Sequence, residues 1–195
     1  MWVQEHPQYG RLLNSMRTIV LRVRSWSGIV YRSAPPKWSR GRDMLSGLGS
    51  MKAGARFNAP GSFPAVYAST TPEPAMVETL AYQRRAGLPV EHALPLVFKA
   101  MFVEVERLLD LTDTAALLEA GVATDELRDD AWWLSRSRHQ ESFTQAIGRA
   151  AHACGVQALR VVSAHTPSLG ENLVVLPGNI RPPSFLKVLR RPRRS

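Results

Sequence analysis

Short runs of β-branched and aromatic residues stand near both ends of this chain, and a stretch with helical periodicity lies between them. The runs that predict strands cover residues 29–31, 65–69, 96–105, 156–162 and 172–176. The predicted helices after the third of these strands cover residues 112–120, 125–132 and 141–154. A regular βαβ chain would place one helix between each pair of strands, so this order predicts an α+β domain.

The strand-like run at 65–69 leads directly into a predicted helix. Segment 70–73 supplies a threonine N-cap, a proline for the first turn and an acid that suits the helix dipole. The helix should continue to about Arg85 and end at Gly87. Its apolar stripe consists of Met76, Val77, Leu80 and Ala81. Glu78 lies at the edge of this stripe, where a carboxylate can reach a cleft while the helix stays packed.

Two other segments carry weaker patterns. Residues 18–23 fit either a short strand or one turn of helix, and the pattern does not decide between them. Pro35 and Pro36 end the strand-like run at 29–31. Residues 37–62 are rich in Ser, Gly, Arg and Pro, which predicts a long loop.

Length and composition place the chain among single globular domains. It has 195 residues, of which 45% are apolar, so it can bury a core of its own. No window approaches the roughly 18 to 20 apolar residues of a membrane span, and residues 1–8 lack a signal-peptide pattern. The single cysteine, Cys154, excludes an intrachain disulfide and a metal site built on cysteine pairs. We therefore expect a soluble cytoplasmic protein.

The net charge of +9 is concentrated at the two ends of the chain. Residues 1–42 carry +7 and residues 181–195 carry +6, whereas residues 43–180 carry −4. Basic terminal segments can bind phosphate backbones or an acidic partner protein with an affinity that falls as salt rises. They can equally be solvated tails that aid solubility.

Three common catalytic signatures are absent from the sequence. There is no Gly-x-x-x-x-Gly-Lys-Ser/Thr phosphate loop, no His-Glu-x-x-His metal helix and no Gly-x-Ser-x-Gly nucleophile elbow. The histidines have no metal-like spacing; they are His6, His92, His139, His152 and His165. ATP hydrolysis, zinc hydrolysis and the commonest serine hydrolase chemistry are therefore disfavoured, and no metal is expected.

A set of polar residues lies instead at the predicted strand ends and in the long loop. It consists of Arg32, Arg56, Asn58, Tyr67, Glu78, Ser163 and Asn172. Arginines can hold a pyrophosphate through paired N–H donors, a tyrosine ring can stack on a heteroaromatic base, and a carboxylate can oppose developing positive charge. The set thus fits a phosphate-bearing ligand whose sugar is activated. Because the same residue types also form ordinary surface networks, chemistry alone leaves both interpretations open.

Four ordered motifs resemble those of the RES domain family. They are Tyr31-Arg32-Ser33-Ala34, Gly54-Ala55-Arg56-Phe57-Asn58-Ala59-Pro60-Gly61, the segment from Val66 to Leu80, and Val162-Ser163-Ala164 followed by Asn172-Leu173-Val174-Val175. The similarity extends from about Gly28 to Pro177. The family takes its name from an arginine, a glutamate and a serine, which correspond here to Arg32, Glu78 and Ser163.

The resemblance implies a fold similar to that of ADP-ribosyltransferase toxins, in which a split cleft between two small sheets holds NAD. It divides the chain into a basic extension (1–27), a catalytic domain (28–180) and a basic tail (181–195). Family members act as toxins of toxin–antitoxin pairs and destroy NAD with water or inorganic phosphate. The usual partner is an Xre-like antitoxin with a DNA-binding helix-turn-helix part, so contact with DNA is expected only through the antitoxin.

The resemblance also implies roles for single residues, with NAD as the substrate. Arg32 and Arg56 are assigned to the pyrophosphate, and Tyr67 to the nicotinamide ring. Tyr31 and Asn58 are expected in the same NAD-binding pocket.

The catalytic residues implied by the resemblance are Glu78, Arg32 and Ser163. Glu78 would bind the ribose and oppose the positive charge that builds at C1. Ser163 would hold the ribose or the carboxamide, or position the incoming water or phosphate. Nicotinamide leaves from a cationic group, so no general acid is required.

Two departures from the family pattern bear on these roles. The family usually has Gly-Gly-Arg-Trp-Asn where this chain has Gly54-Ala55-Arg56-Phe57-Asn58, and a positive φ at Ala55 would add strain of about 1 kcal/mol. Val162 stands where a proline often precedes the serine. Ser168 is therefore a rival to Ser163 for the family serine.

Each assignment has a structural alternative. Arg32 could pair with Glu78 as a salt bridge, Tyr67 could belong to the core, Ser163 could cap a turn, and Asn58 could occupy the left-handed position of a turn. Two other functions stay open. One is mono-ADP-ribosylation of a cellular protein, and the other is non-catalytic binding of nucleic acid through the basic ends.

Overall fold

Strands and helices alternate irregularly along the part of the chain that the structure describes. This computed structural model describes residues 3–85, 89, 91, 94–119, 121–128, 131–163 and 170–189. The strands in this part are β1 (Arg24–Ala34), β2 (Val66–Ser69), β3 (Val97–Asp110), β4 (Ala158–Val162), β5 (Glu171–Val175) and β6 (Phe185–Val188). The helices are α1 (Tyr9–Ile19), α2 (Gly41–Ser46), α3 (Leu48–Ala53), α4 (Pro72–Arg85), α5 (Thr114–Glu119), α6 (Thr124–Arg128), α7 (Trp132–Ser137) and α8 (Phe143–Ala153).

The pairing of the described strands joins them into one sheet. β1 pairs with β3 in antiparallel fashion, β3 with β4 in parallel, and β4 with β5 and β5 with β2 in antiparallel fashion. A single paired position, Tyr31 opposite Ser69, connects β2 back to β1. β6 adds to β3. The expected α+β class is confirmed, but the expected division into two small sheets is not, because these pairings link the strands into a closed series.

Side-chain alternation divides the apolar residues of the sheet between two clusters. On β2, Val66 and Ala68 belong to one cluster, whereas Tyr67 packs against the other. The first cluster also contains residues of β1 and β3, among them Val30 and Met101. The second lies between the sheet and the helices α1 and α8. Each strand is thus fixed in register, because a shift by one residue would exchange its two faces.

The N-terminal segment, predicted as a basic extension over residues 1–27, contributes to both the core and the sheet. Leu12, Met16 and Ile19 of α1 are buried in the cluster under α8. The undecided segment 18–23 ends this helix and forms a 3-10 turn at Val20–Arg22. The spacing of these three apolar residues is helical and would have predicted α1, but the surrounding arginines made the apolar face hard to recognise.

The prediction of one long loop over residues 37–62 is wrong, because α2 and α3 lie within this segment. Gly47 joins these six-residue helices at a φ of +65°, and a Cβ at this position would come within 2.6 Å of the backbone nitrogen of Ala65. A larger residue therefore fits neither the backbone conformation nor the space. Helices this short show too few apolar positions for a periodic pattern to be recognised.

Most other predicted elements are present with altered bounds. The strand predicted at 96–105 extends to Asp110, and the helix predicted at 125–132 is replaced by α6 and α7. β6 lies within the segment predicted as a basic tail at 181–195. Gly87, the predicted end of α4, lies outside the described residues. None of the described helices is long and apolar enough to cross a membrane.

Helix α8 begins with a strong local signal and packs closely on the rest of the molecule. Ser142 and Gln145 form a reciprocal capping box at its first turn. Gly148 lies so near the loop before β2 that a Cβ there would stand 1.8 Å from the carbonyl oxygen of Phe57. This approach fixes the distance between the helix and the loop.

We expect Gly148→Ala to lower the free energy of unfolding by about 1–3 kcal/mol, because the added methyl group meets a backbone carbonyl that has little freedom to move. Gly10→Ala in α1 is the matched control. No atom lies within 4 Å of a Cβ at that position, so this change should raise stability by up to about 1 kcal/mol. Urea unfolding of both variants measures the difference. Equal stabilities would contradict the close contact.

Candidate active site

The carboxylate of Glu78 is held by side chains from the ends of two strands. Its Oε1 accepts a hydrogen bond of 2.8 Å from Ser163 Oγ and one of 3.0 Å from Asn172 Nδ2. Asn172 Oδ1 in turn accepts from Ser69 Oγ at 2.7 Å. Two donors on one oxygen fix the direction of the carboxylate.

The antiparallel register of the sheet brings these donors together. Ser69 pairs with Asn172 across β2 and β5, and Asn172 pairs with Val161 across β5 and β4. Ser163 follows β4 and lies two residues beyond Val161, so alternation directs it to the same face. Glu78 comes from α4, which begins directly after β2.

Arg32 of β1 is half-buried as a residue, but its guanidinium is desolvated. Its Nη1 donates to the carbonyl oxygen of Tyr67 at 3.0 Å, whereas its Nε is buried without a hydrogen-bond partner in the described part of the chain. Burial lowers the pKa of the guanidinium below its usual value, although the nearby Tyr67 opposes this effect. An unsatisfied donor on a buried cation is unfavourable by itself and fits an anionic ligand.

Arg32 and Glu78 both adjoin β2 but do not form an ion pair with each other in the described structure. Arg32 contacts the backbone of Tyr67, and Ser69, two residues further on, belongs to the Glu78 cluster. Tyr31, next to Arg32, is half-buried and lies opposite Ser69 in the sheet. The salt-bridge alternative is therefore wrong. That both groups contact one ligand stays a prediction.

The hydroxyl of Tyr67 connects β2 to the loop that carries Arg56. It donates to Asn58 Oδ1 at 2.8 Å and accepts from the backbone N–H of Phe57 at 2.9 Å. Burial raises the pKa of Tyr67, while the hydrogen bond from Phe57 and the charges of Arg56 and Arg32 oppose the rise. Both hydrogen-bond partners of the hydroxyl thus lie within the protein. Stacking of the ring on nicotinamide stays a prediction.

Asn58 supports the same loop from inside. Its side chain is fully buried, and its Nδ2 donates to the carbonyl oxygen of Phe63 at 3.1 Å. Its φ is not positive, so the alternative role as a left-handed turn residue is wrong. Because both ends of its amide bond to the protein, Asn58 orders the loop. Its predicted contact with NAD stays untested.

The guanidinium of Arg56 points away from the loop toward α6. Its Nη2 donates to the carbonyl oxygen of Leu127, and its Cζ lies 5.3 Å from the centre of the Phe57 ring. Gly54 has a φ of +73°, whereas Ala55 does not have a positive φ. The missing second glycine of the family motif therefore causes no backbone strain here. Ser168, the rival to Ser163, lies outside the described residues.

Three residues around the site were missed by the sequence analysis. Ser69 orients Asn172, and Thr144 and Gln145 of α8 donate to the Arg56 loop. The pattern Ser-x-x-Gln at 142–145 was visible as a capping box, but its contact with a loop some 90 residues earlier was not. Among the described residues, no group of three or more His, Cys, Asp or Glu side chains could hold a metal ion.

We expect Tyr67→Phe to lower the free energy of unfolding by about 1–3 kcal/mol, because it leaves the buried Asn58 oxygen and the Phe57 N–H without their partner. Tyr31→Phe is the matched control, since the hydroxyl of Tyr31 makes no hydrogen bond within the described structure. It should change stability by less than about 0.5 kcal/mol. Thermal unfolding of both variants tests this. A loss shared equally by the two would contradict the role of the Tyr67 hydroxyl.

The fold and this site define a mixed α+β protein in which a desolvated arginine and a glutamate held by two hydrogen bonds lie on elements next to the same strand. The family model described as RES domain matches residues 29–191. The chain belongs to the RES domain family. The match begins one residue after the expected domain start and extends through β6.

Curated relatives and a solved structure are similar over most of the chain. The NAD(+) phosphorylase MbcT proteins of Mycobacterium bovis and Mycobacterium tuberculosis are each 31% identical over 141 residues, which cover 71% of this chain and 69% of theirs. A chain of the crystal structure of the M. tuberculosis MbcT–MbcA toxin–antitoxin complex superimposes with a TM-score of 0.67 and 27% identity. It covers 92% of this chain and 91% of that chain.

Proposed function

We propose that this protein is the toxin of a toxin–antitoxin pair and that it cleaves the nicotinamide–ribose bond of NAD. The observation that carries the proposal is the Glu78 carboxylate, held by Ser163 and Asn172 next to a strand that also binds the buried Arg32. Family membership and the names of the relatives support the same activity. The proposal includes a fold of the ADP-ribosyltransferase type.

The chemistry requires a fixed negative charge more than a proton donor. When the bond between C1 of the ribose and the nicotinamide nitrogen breaks, its electron pair neutralises the leaving ring, and positive charge develops on the ribose. Glu78 can oppose that charge without reorganising, because Ser163 and Asn172 already hold it in place. An oxygen of phosphate or water then bonds to C1; water also releases a proton.

Arg32 is suited to the pyrophosphate of NAD. A buried guanidinium with an unsatisfied Nε–H offers a directed charge-assisted hydrogen bond to a phosphate oxygen. Arg56 directly precedes Phe57, whose N–H donates to the Tyr67 hydroxyl, and Arg32 donates to the Tyr67 carbonyl oxygen. The two arginines therefore approach one region from different elements, as binding of a dianionic pyrophosphate would need.

Replacing either charged group should abolish most of the activity. We expect Glu78→Ala and Arg32→Ala each to lower the rate of nicotinamide release from NAD by at least about 10²-fold, because each removes a preorganised charge. Glu73→Ala is the matched control, since Glu73 is exposed in the first turn of the same helix. Full turnover by both site variants would exclude this site.

The products of the same assay identify the acceptor. We expect phosphorolysis, with ADP-ribose 1-phosphate as the product in the presence of inorganic phosphate, because the relatives are named NAD(+) phosphorylases. Free ADP-ribose at an unchanged rate without phosphate would indicate hydrolysis instead. Label transferred from NAD onto a protein would indicate the mono-ADP-ribosyltransferase alternative.

The proposed partner is an antitoxin of the Xre-like helix-turn-helix type. The similar structure is a toxin–antitoxin complex, which supports an antitoxin as partner. Expression of the chain alone should arrest growth, and coexpression of its antitoxin should restore growth to the level of cells that express Glu78→Ala. Arrest that persists in Glu78→Ala would show that toxicity does not depend on the site.

The basic N-terminal segment is not a free arm, because α1 packs in the core and several of its cations have partners within the protein. Arg22 pairs with Glu119 and Arg24 pairs with Asp110. Arg11 donates to the carbonyl oxygen of Gly121 at 2.8 Å. The two carboxylates partly neutralise Arg22 and Arg24 before any partner binds, and the carbonyl group holds Arg11 against a neighbouring element.

A further inference from the structure

The loop of residues 55–57 presents three consecutive carbonyl groups to the first two turns of α8. The first accepts a hydrogen bond of 2.9 Å from Gln145 Nε2, and the second accepts one of 2.6 Å from Thr144 Oγ1. The third lies over Gly148, where a Cβ would approach it to 1.8 Å. Thr144 and Gln145 are both fully buried. The loop is therefore attached to the helix at three successive positions.

Gln145 performs two tasks with the two ends of one amide group. Its Oε1 accepts from the backbone N–H of Ser142 at 3.0 Å, which completes the capping box, while its Nε2 donates to the loop. A capping box accepts glutamate or glutamine at this position. Only glutamine keeps an N–H donor for the loop. The helix cap and the loop contact can thus be separated by one substitution.

The attached loop carries one residue assigned to NAD and orders another: Arg56, assigned to the pyrophosphate, and Tyr67, assigned to the nicotinamide ring. Arg56 belongs to it, and the N–H of Phe57 donates to the hydroxyl of Tyr67. The Glu78 carboxylate is held by other elements, namely α4, β5 and the end of β4. A displaced loop should therefore disturb Arg56 and Tyr67 and leave the Glu78 cluster in place.

We infer that Thr144 and Gln145 are positioning residues for NAD binding, which act by holding the backbone of residues 55 and 56. The inference rests on the proposed function and adds a determinant of substrate affinity to it. Neither side chain needs to touch NAD. Their effect reaches the substrate through Arg56 and Tyr67, so it falls on binding more than on the rate of bond cleavage.

Gln145→Glu tests this with the cap retained. We expect KM for NAD to rise about tenfold while kcat changes by less than about twofold, because the variant loses the donor to Ala55 and places a carboxylate against its carbonyl. Gln157→Glu is the matched control, since Gln157 is also buried and its Oε1 also accepts backbone N–H groups, from Glu106 and Arg107. It introduces the same buried charge away from the loop, so KM should stay within about twofold of the wild type.

A second pair of variants covers the case in which Gln145→Glu does not fold. Thr144→Val keeps the shape of the side chain and removes the donor to Arg56, so KM should rise by about fivefold to tenfold. Thr144→Ser keeps the hydroxyl and should restore the wild-type KM. A merely structural role for Thr144 would not produce this ordering of KM at unchanged kcat.

The inference is overturned if KM is unchanged in Gln145→Glu and Thr144→Val, or if kcat falls while KM does not. A wild-type protein that releases no nicotinamide contradicts the proposed function instead. In that case amide exchange at Phe57, followed by NMR, tests the attachment of the loop directly. We expect exchange at least about tenfold faster in Thr144→Val than in the wild type or in Thr144→Ser, and equal rates would overturn the attachment.

Discussion

The antiparallel register of β2, β5 and β4 is the constraint on which the candidate site depends. It sets Ser69 opposite Asn172 and brings Ser163 to the same face, so that two donors meet one oxygen of Glu78. A shift of one residue in any of these strands would exchange its two faces, so that its polar side chain would leave the Glu78 cluster. The core therefore helps to fix the site, because Val66, Leu173 and Val175 reach their own apolar cluster only in this register.

A second constraint comes from the packing of α8 against the Arg56 loop. The close approach at Gly148 and the bonds from Thr144 and Gln145 connect segments that are about 90 residues apart in the chain. Tyr67 continues this connection into β2, whose backbone carbonyl also receives Arg32. The two halves of the site, one cationic and one acidic, are thus both anchored to the same short strand.

Burial governs the electrostatics of this arrangement. Desolvation lowers the pKa of Arg32 and raises that of Tyr67, so each neutral form is favoured relative to water. Binding of an anion next to Arg32 would recover part of the lost solvation of the guanidinium. The charges of Arg22 and Arg24, by contrast, are directed to acidic partners on the surface. The positive charges of Arg22 and Arg24 and the positive charge of Arg32 therefore have different physical surroundings.

Periodicity and local start signals in the sequence determined the α+β class and the helix that carries Glu78, and helical spacing predicted α8, because these features depend on neighbouring residues. The ordered motifs also pointed to the RES family and to Arg32, Glu78 and Ser163. The sequence did not reveal α2, α3 or β6, whose few apolar positions form no readable pattern. Only the tertiary structure decided that Ser69 orients Asn172, that Tyr67 and Asn58 order a loop, and that α8 holds it. Those contacts depend on strand register and helix packing between distant segments, which no local pattern encodes.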